Sequence, residues 1–189
     1  MTFYDLFMAP FEKSILAKAR RELIANAHGN VLELGTKTGA NFKYYRLAQI
    51  TSLTATDLVL DPEVYRNAPS NVTFQGCSVE DLPYPGGTFD TAVETLILCT
   101  VKNVPAAIAE VYRVLKPGGL FLYLDHGLPT SPRMAQLFHV INHVWPYLTG
   151  GCNLTRRTEQ QIEAAGFVLE RRGGDRKQIF RWGVARKQG

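Results

Sequence analysis

At 189 residues, with 46% hydrophobic and 20% charged residues and a net charge of only +4, the chain suits one soluble folded domain with a sizeable core. No run approaches the ~18 apolar residues of a membrane span, and no basic stretch leads into an apolar core, so neither a transmembrane segment nor a secretory leader is expected. Three cysteines (Cys77, Cys99, Cys152) lie far apart, odd in number and without metal-like spacing, which excludes a disulfide scaffold and points to a reducing, cytoplasmic setting.

The chain opens on an aromatic cluster, Phe3, Tyr4, Phe7 and Phe11, around Pro10. It is too short for a domain and rich enough to cover something. Residues 12–27 read as an amphipathic helix, with Ile15, Leu16, Ala19, Leu23 and Ala27 near helical spacing. Val31–Leu34 is the first strand, and a helix is expected from Asn41. Leu53–Thr56 is a second strand ending at Asp57. A helix covers about 62–67, and Val72–Gln75 is the third strand. The prolines and glycines of Leu82-Pro83-Tyr84-Pro85-Gly86-Gly87 forbid regular structure. Thr91–Glu94 is the fourth strand, entered through Phe89-Asp90. Ala106–Leu115 is a helix closed by Lys116-Pro117-Gly118-Gly119, and Leu120–Leu124 is the fifth strand. Residues 131–148 read as largely helical. Thr158–Ala165 is a helix stopped by Gly166, and Phe167–Arg171 and Ile179–Ala185 pair as a terminal hairpin.

Strands alternating with helices predict an α/β fold, a mainly parallel sheet covered on both faces. In such sheets ligands sit beyond the carboxyl ends of the strands. Glu33–Gly39, Asp57, Ser78–Asp81, Thr95 and Asp125-His126 all fall there and are expected to converge on one rim.

The turn Glu33-Leu34-Gly35-Thr36-Lys37-Thr38-Gly39 carries most of the chemistry. Gly35 and Gly39 tolerate backbone angles that a side chain penalises, and they leave room for a ligand against the main chain. Asp57 lies 24 residues after Glu33, at the end of the second strand, where a carboxylate accepts both hydroxyls of a ribose. Its plainer alternative is a turn or cap residue.

Taken together, VLELGTKTGANF, TATD, VEDLPYPGGTFD and LKPGGLF resemble the class I S-adenosylmethionine-dependent methyltransferases over most of residues 30–125. The resemblance implies a Rossmann-like, seven-stranded, mostly parallel sheet with a C-terminal antiparallel hairpin. It implies a single domain: residues 1–27 as N-terminal lid and helix, 28–125 as cofactor core, 126–189 as substrate-side helices and hairpin. S-adenosylmethionine is the implied cofactor and S-adenosylhomocysteine the product. By position, Glu33 anchors the cofactor's amino end, and Gly35, Thr36 and Gly39 line its methionine part and sugar. Asp57 holds the ribose with Leu58 beside the adenine. Ser78 and Val79 take the adenine-contact positions, Ser78 replacing the family's frequent aspartate. Thr95 and Leu96 sit near the reactive methyl. Lys37 departs from the pattern, standing at the turn's usual middle glycine. Its side chain either points outward, meets the cofactor carboxylate, or obstructs binding, and the last would leave a non-catalytic binding module.

Within that superfamily, FYDLFMAPFEK, ANFKYY, TLILCTVKNV, LDHG and GGCNLTR resemble the bacterial ubiquinone/menaquinone-type enzymes and the animal thiol S-methyltransferases of the methyltransferase-like seven group. Those animal proteins carry an N-terminal membrane anchor; a chain beginning at the aromatic cluster implies a soluble enzyme. The implied reaction is methyl transfer to a small, mainly apolar acceptor, a thiol first and a phenol or quinone precursor second.

His126, whose ordinary pKa near ~6.5 suits proton transfer at neutrality, and Asp125 are the candidates for a base or orienting role. Tyr4, Phe7, Cys152, Asn153 and Arg156 are candidate pocket residues. Arg156 either binds a carboxylate or pins a lid through a salt bridge, and Cys152 as a nucleophile is not needed by this chemistry. His139 and His143 are four apart but lack the adjoining glutamate of a zinc-protease motif, so a helix face is the reading and no metal is expected. Phe138, Val144, Trp145 and Leu148 read as core or pocket wall.

No nucleic-acid partner is expected, because Glu94-Thr95-Leu96-Ile97-Leu98 lacks the Asn/Asp-Pro-Pro-aromatic pattern of base methylation. The late basic residues, from Arg171 to Lys187, read as the solvated face of a hairpin. A peripheral membrane contact and a phospholipid head-group acceptor stand as the alternative. Nothing in the sequence specifies an oligomeric state.

Overall fold

The computed structural model describes residues 11–60 and 62–189. Tyr4 and Phe7, with the rest of the opening aromatic cluster except Phe11, lie outside the described residues. A π-helical stretch, Glu12–Leu16, runs into α1 (Ala17–Ile24). Strands β1 (Gly29–Leu34), β2 (Ile50–Asp57), β3 (Val72–Gly76), β4 (Phe89–Thr95), β5 (Leu115–His126), β6 (Phe167–Gly174) and β7 (Phe180–Lys187) form one sheet. Its order is β3-β2-β1-β4-β5-β7-β6. The first five strands are parallel, and β7 enters antiparallel between β5 and β6. Helices α2 (Pro62–Asn67), α3 (Val104–Val114), α4 (Pro132–Ile141), α5 (Trp145–Thr149) and α6 (Thr158–Ala164) complete the fold.

The period-2 alternation of strands divides the core between the two faces. Leu32, Leu34, Phe121 and Tyr123 face α3 and α6 with Ile108, Val111, Ile162 and Phe167. Val31, Leu53, Val93, Leu122 and Leu124 face α1 with Leu16, Leu23 and Ile24. Strand β5 supplies both sets from alternate positions, so it is buried on both sides, as an inner parallel strand must be.

Three expectations need correcting. The helix expected from Asn41 is a pair of short 3-10 turns, Phe42–Tyr44 and Leu47–Gln49. Left-handed residues at 35, 37 and 39 consume the start of that connection, and Asn41 and Tyr45 are drawn inward to Glu33. The helix does end at Val114, but Lys116-Pro117-Gly118-Gly119 already belongs to β5, because Leu115 pairs with Phe89. Helix 131–148 is broken by a turn at 142–144.

The basic tail is largely compensated. Arg172 pairs with Glu163, Arg186 with Glu170 and Arg181 with Glu159. The exposed large apolar side chains collect instead on α4 and α5, where Val140 and Tyr147 are 68% and 88% exposed. Among the described residues no helix is long and apolar enough to cross a membrane.

Candidate active site

At the end of β1 the chain turns through Gly35 (φ 66°), Lys37 (φ 43°) and Gly39 (φ 69°). The turn is tied by Thr36 N–H to the Thr56 carbonyl (3.0 Å) and by Gly39 N–H to the Thr36 carbonyl (2.8 Å). Lys37 adopts the left-handed region that a non-glycine residue enters only at a cost of ~1–2 kcal/mol. Its main-chain N–H donates to Asp57 Oδ2 at 2.8 Å, and Val59 N–H donates to Oδ1 at 3.3 Å. The lysine residue itself is exposed. The turn of β1 and the carboxylate of β2 are therefore locked together through main chain.

The glycines do not lie open as expected. A Cβ at Gly35 would stand 1.9 Å from Ile97 Cγ1, and one at Gly39 would stand 2.8 Å from the Phe42 ring. The room they leave is taken by neighbouring side chains. For a ligand to touch main chain at Gly35, the Ile97 side chain must turn aside.

Glu33 is fully buried. Tyr45 Oη donates to one carboxylate oxygen at 2.7 Å and Asn41 Nδ2 to the other at 3.3 Å. Asn41 Nδ2 also reaches Thr95 Oγ1 at 3.0 Å, joining β1 to the end of β4. Burial pushes the Glu33 carboxyl up to about 7 against the pull of those hydrogen bonds and of Arg20. Glu33 is thus linked through Asn41 to Thr95 at the end of β4. Thr95 is half-buried at the last position of β4, and Leu96 follows at φ 62°.

Asp57 borders a small hollow lined by Thr36, Lys37, Val59, Leu60, Val64 and Phe74. A carboxylate beside an apolar floor of Leu60, Val64 and Phe74 matches in chemistry a ribose carrying a flat heterocycle, so these residues fit an S-adenosyl group once the side chains that close the hollow turn aside. Leu58 is 75% exposed beside it. Ser78 is half-buried, its hydroxyl accepting from Glu80 N–H at 3.1 Å and its main chain bridging Asp81. Val79 packs against the α3-side core.

Asp125 and His126 close β5 and are 1% and 3% exposed. Both border a cleft of about 520 Å³ whose wall includes Thr130, Arg156, Arg157, Glu159 and Arg181. That wall is polar. Phe138 and Trp145 belong instead to a dry cluster with Cys99, Cys152 and Leu154, while Val144 and Leu148 are more than half exposed.

Asp125 accepts from His126 N–H (2.8 Å) and Thr158 Oγ1 (3.3 Å), and burial raises its carboxyl to about 6. Cys152 Sγ lies 3.4 Å from His126 Nδ1. Its hydrogen bond with Cys99, helped by His126 and opposed by burial, pulls the Cys152 thiol down to about 5. Burial depresses His126, but contact with Cys152 more than offsets it and leaves the imidazole above its ordinary value.

Asn153 N–H donates to the Cys99 carbonyl (2.8 Å), and its Oδ1 accepts from Thr155. Arg156 neither binds a carboxylate nor forms a salt bridge among the described residues. Its guanidinium donates to the carbonyls of Leu98 and Val101, pinning the loop after β4. His139 and His143 sit on an exposed face, His143 Nδ1 against the His139 carbonyl at 2.9 Å.

Sequence reasoning missed four residues that hold this rim: Asn41, Tyr45, Glu94 and Cys99. Glu94 is buried and accepts from the N–H groups of Ile97, Leu98 and Leu124, so it shapes the turn that carries Ile97. Only its place at a strand end hinted at this.

Residues 32–123 match the Methyltransferase domain family. Human thiol S-methyltransferase TMT1A is 32% identical over 167 residues, spanning 80% of this chain and 68% of the relative. The ubiquinone/menaquinone biosynthesis C-methyltransferase UbiE of Desulfotalea psychrophila is 32% identical over 136 residues, 68% of this chain and 55% of the relative. In fold, the chain is similar to a putative methyltransferase from Bacillus halodurans with a TM-score of 0.74 at 17% identity, over 93% of this chain and 100% of that one.

Proposed function

Because this chain belongs to the class I S-adenosylmethionine-dependent methyltransferases, we propose that it methylates a small thiol. The observation that carries this reading is the likeness to TMT1A over four-fifths of the chain, joined to the pairing of Asp57 with the turn of β1. When bound, S-adenosylmethionine supplies an electrophilic methyl on a sulfonium and leaves as S-adenosylhomocysteine.

Asp57 accepts the ribose hydroxyls and presents its apolar neighbours to the adenine, with Leu58, Ser78 and Val79 around it. Asn41 and Thr95 relay the charge of Glu33 to the cofactor's ammonium. Thr36 and the main chain of Gly35–Gly39 border the aminoacyl end, with Leu96 beside the methyl. Lys37 takes part through its main-chain N–H rather than as an obstruction. Asp125 and His126 border the acceptor cleft with Arg156. A thiol of ordinary pKa ~8.5 is partly ionised near neutrality, so their task is to orient the acceptor more than to strip its proton.

The test is product analysis by mass spectrometry after incubation with S-adenosylmethionine and a panel of alkyl thiols and phenolic quinone precursors. S-methylated products with untouched phenols support the reading. Carbon methylation of the quinone precursors alone would replace it with the second reading, which the likeness to UbiE favours.

A further inference from the structure

The cluster at Cys99, His126 and Cys152 has features that methyl transfer does not call for. One sulfur or nitrogen donor from each of the three residues lies within 4.8 Å of the others, and all three side chains are buried. Cys152 Sγ and His126 Nδ1 stand 3.4 Å apart. Zn–S of ~2.3 Å and Zn–N of ~2.0 Å at a tetrahedral angle place sulfur and nitrogen about 3.6 Å apart. This pair is thus already spaced as two ligands of one ion, and the Cys99 sulfur lies within 4.8 Å of both.

Three independent parts of the fold bring them together. Cys99 lies in the loop after β4, held by Glu94 and Arg156. His126 ends β5, its ring tilted against that of Phe180 with centroids 4.9 Å apart. Cys152 follows Gly150 and Gly151, at φ 69° and 100°, which turn the chain back so that Asn153 N–H meets the Cys99 carbonyl. Phe138, Trp145 and Leu154 pack around the two sulfurs. Such a dry shell disfavours net charge. Two thiolates and a neutral imidazole cancel the charge of a divalent ion, beside the buried Asp125 carboxyl that hydrogen-bonds with Cys99.

We propose that Cys99, His126 and Cys152 form a Cys2His site for one thiophilic divalent cation, zinc by its donor set, with water in the fourth position. Binding displaces the Cys99 thiol proton and the proton held by the Cys152–His126 pair, so uptake releases protons. Two sulfurs and an imidazole select zinc over magnesium or calcium, which require oxygen donors. The site shares His126 with the cleft, but its donor set does not depend on which acceptor is methylated.

The test uses the full chain, reduced and stripped of metal with a chelator, and cobalt(II) as spectroscopic probe. The expected result is one cobalt per chain, with sulfur-to-metal charge-transfer absorption and visible bands of tetrahedral intensity, both removed by equimolar zinc. Cys99→Ser and Cys152→Ser should each weaken cobalt binding by at least the roughly 10–100-fold that loss of an outer-shell partner costs. His139→Ala, on the exposed helix face, should not. X-ray absorption at the zinc edge of the unsubstituted protein should show two sulfur and one imidazole neighbours, a readout that needs no variant to fold. The proposal is overturned by an edge spectrum with only nitrogen and oxygen neighbours. It is equally overturned by thiols that react with an alkylating reagent as fast with zinc as without it.

Discussion

At the carboxyl ends of β1 and β2, Glu33 is held by Asn41 and Tyr45 of the connection that follows it, and Asp57 by Val59 beside it and by the Lys37 main chain in the turn of the neighbouring strand. At the ends of β4 and β5, Cys99, His126 and Cys152 meet across 27 and 26 intervening steps of sequence. The first region is polar, strained in its backbone and open at Asp57. The second is dry, sulfur-rich and closed by Phe138 and Trp145. A binding edge is thus made from local turn geometry, while a buried donor cluster is made by tertiary packing. Damage to one should leave the other standing.

The largest separation of the two is expected from Asp57→Ala. It removes a charged acceptor of ligand hydroxyls and frees the Lys37 N–H, so S-adenosylhomocysteine affinity by calorimetry should fall about a hundredfold, near ~3 kcal/mol. Alkylation rates of Cys99 and Cys152 should be unchanged. A loss below tenfold would remove Asp57 from the cofactor site.

Glu33→Gln probes the buried side of the same region. The folded carboxyl titrates at about 7 against 4.5 unfolded. Between those values the native state holds the extra proton, so this group's stabilising contribution is present below pH 4.5 and lost as pH rises through about 7. From pH 5.5 to 8 it should cost the parent about 2 kcal/mol of stability relative to the glutamine variant. Asp125 adds to the parent's slope in the same direction, so the difference between parent and variant in urea unfolding is the informative quantity. An identical slope in both would mean that Glu33 is ionised throughout.

Arg156→Ala addresses the second region. Losing its bonds to the Leu98 and Val101 carbonyls should destabilise by about 2 kcal/mol and expose Cys99 to alkylation at least severalfold faster. Unchanged Cys99 reactivity would show that the loop is held without it.

The smallest effect is expected from Lys37→Gly. Relief of the left-handed lysine should add about 1 kcal/mol and raise Tm by roughly 2–4 °C. Cofactor affinity should stay within about threefold, on the strength of a main-chain contact worth keeping in either variant. A tenfold gain in affinity would mean that the side chain obstructs the site.

Most strands were legible because their runs end at glycine or aspartate, β4 instead running out through Glu94-Thr95, and the glycine-rich turn with Asp57 at the next strand end pointed to the cofactor edge. The occupation of Gly35 by Ile97 was not legible, since a glycine announces space without saying what fills it. Leu115-Lys116-Pro117-Gly118-Gly119 reads locally as a helix stop, yet pairing with Phe89 makes it strand. The donor cluster had no local signature: Cys99, His126 and Cys152 are ordinary residues of three separate segments until β5 is buried on both sides and Gly150-Gly151 turns the chain back. Asn41 and Tyr45 escaped notice because the expected helix would have turned them outward.

Strand β7, residues Phe180–Lys187, lies inside the sheet between β5 and β6. During synthesis β5 therefore leaves the ribosome with one hydrogen-bonding edge vacant, and it stays vacant until more than fifty further residues have emerged. For that interval Tyr123 to His126 present a naked strand edge, the feature that invites mispairing between nascent chains. Release of this strand is thus the event that seals both the sheet and the cleft beside His126, and a ribosome-stalled chain ending before Phe180 should be captured by chaperones while the released 189-residue chain should not.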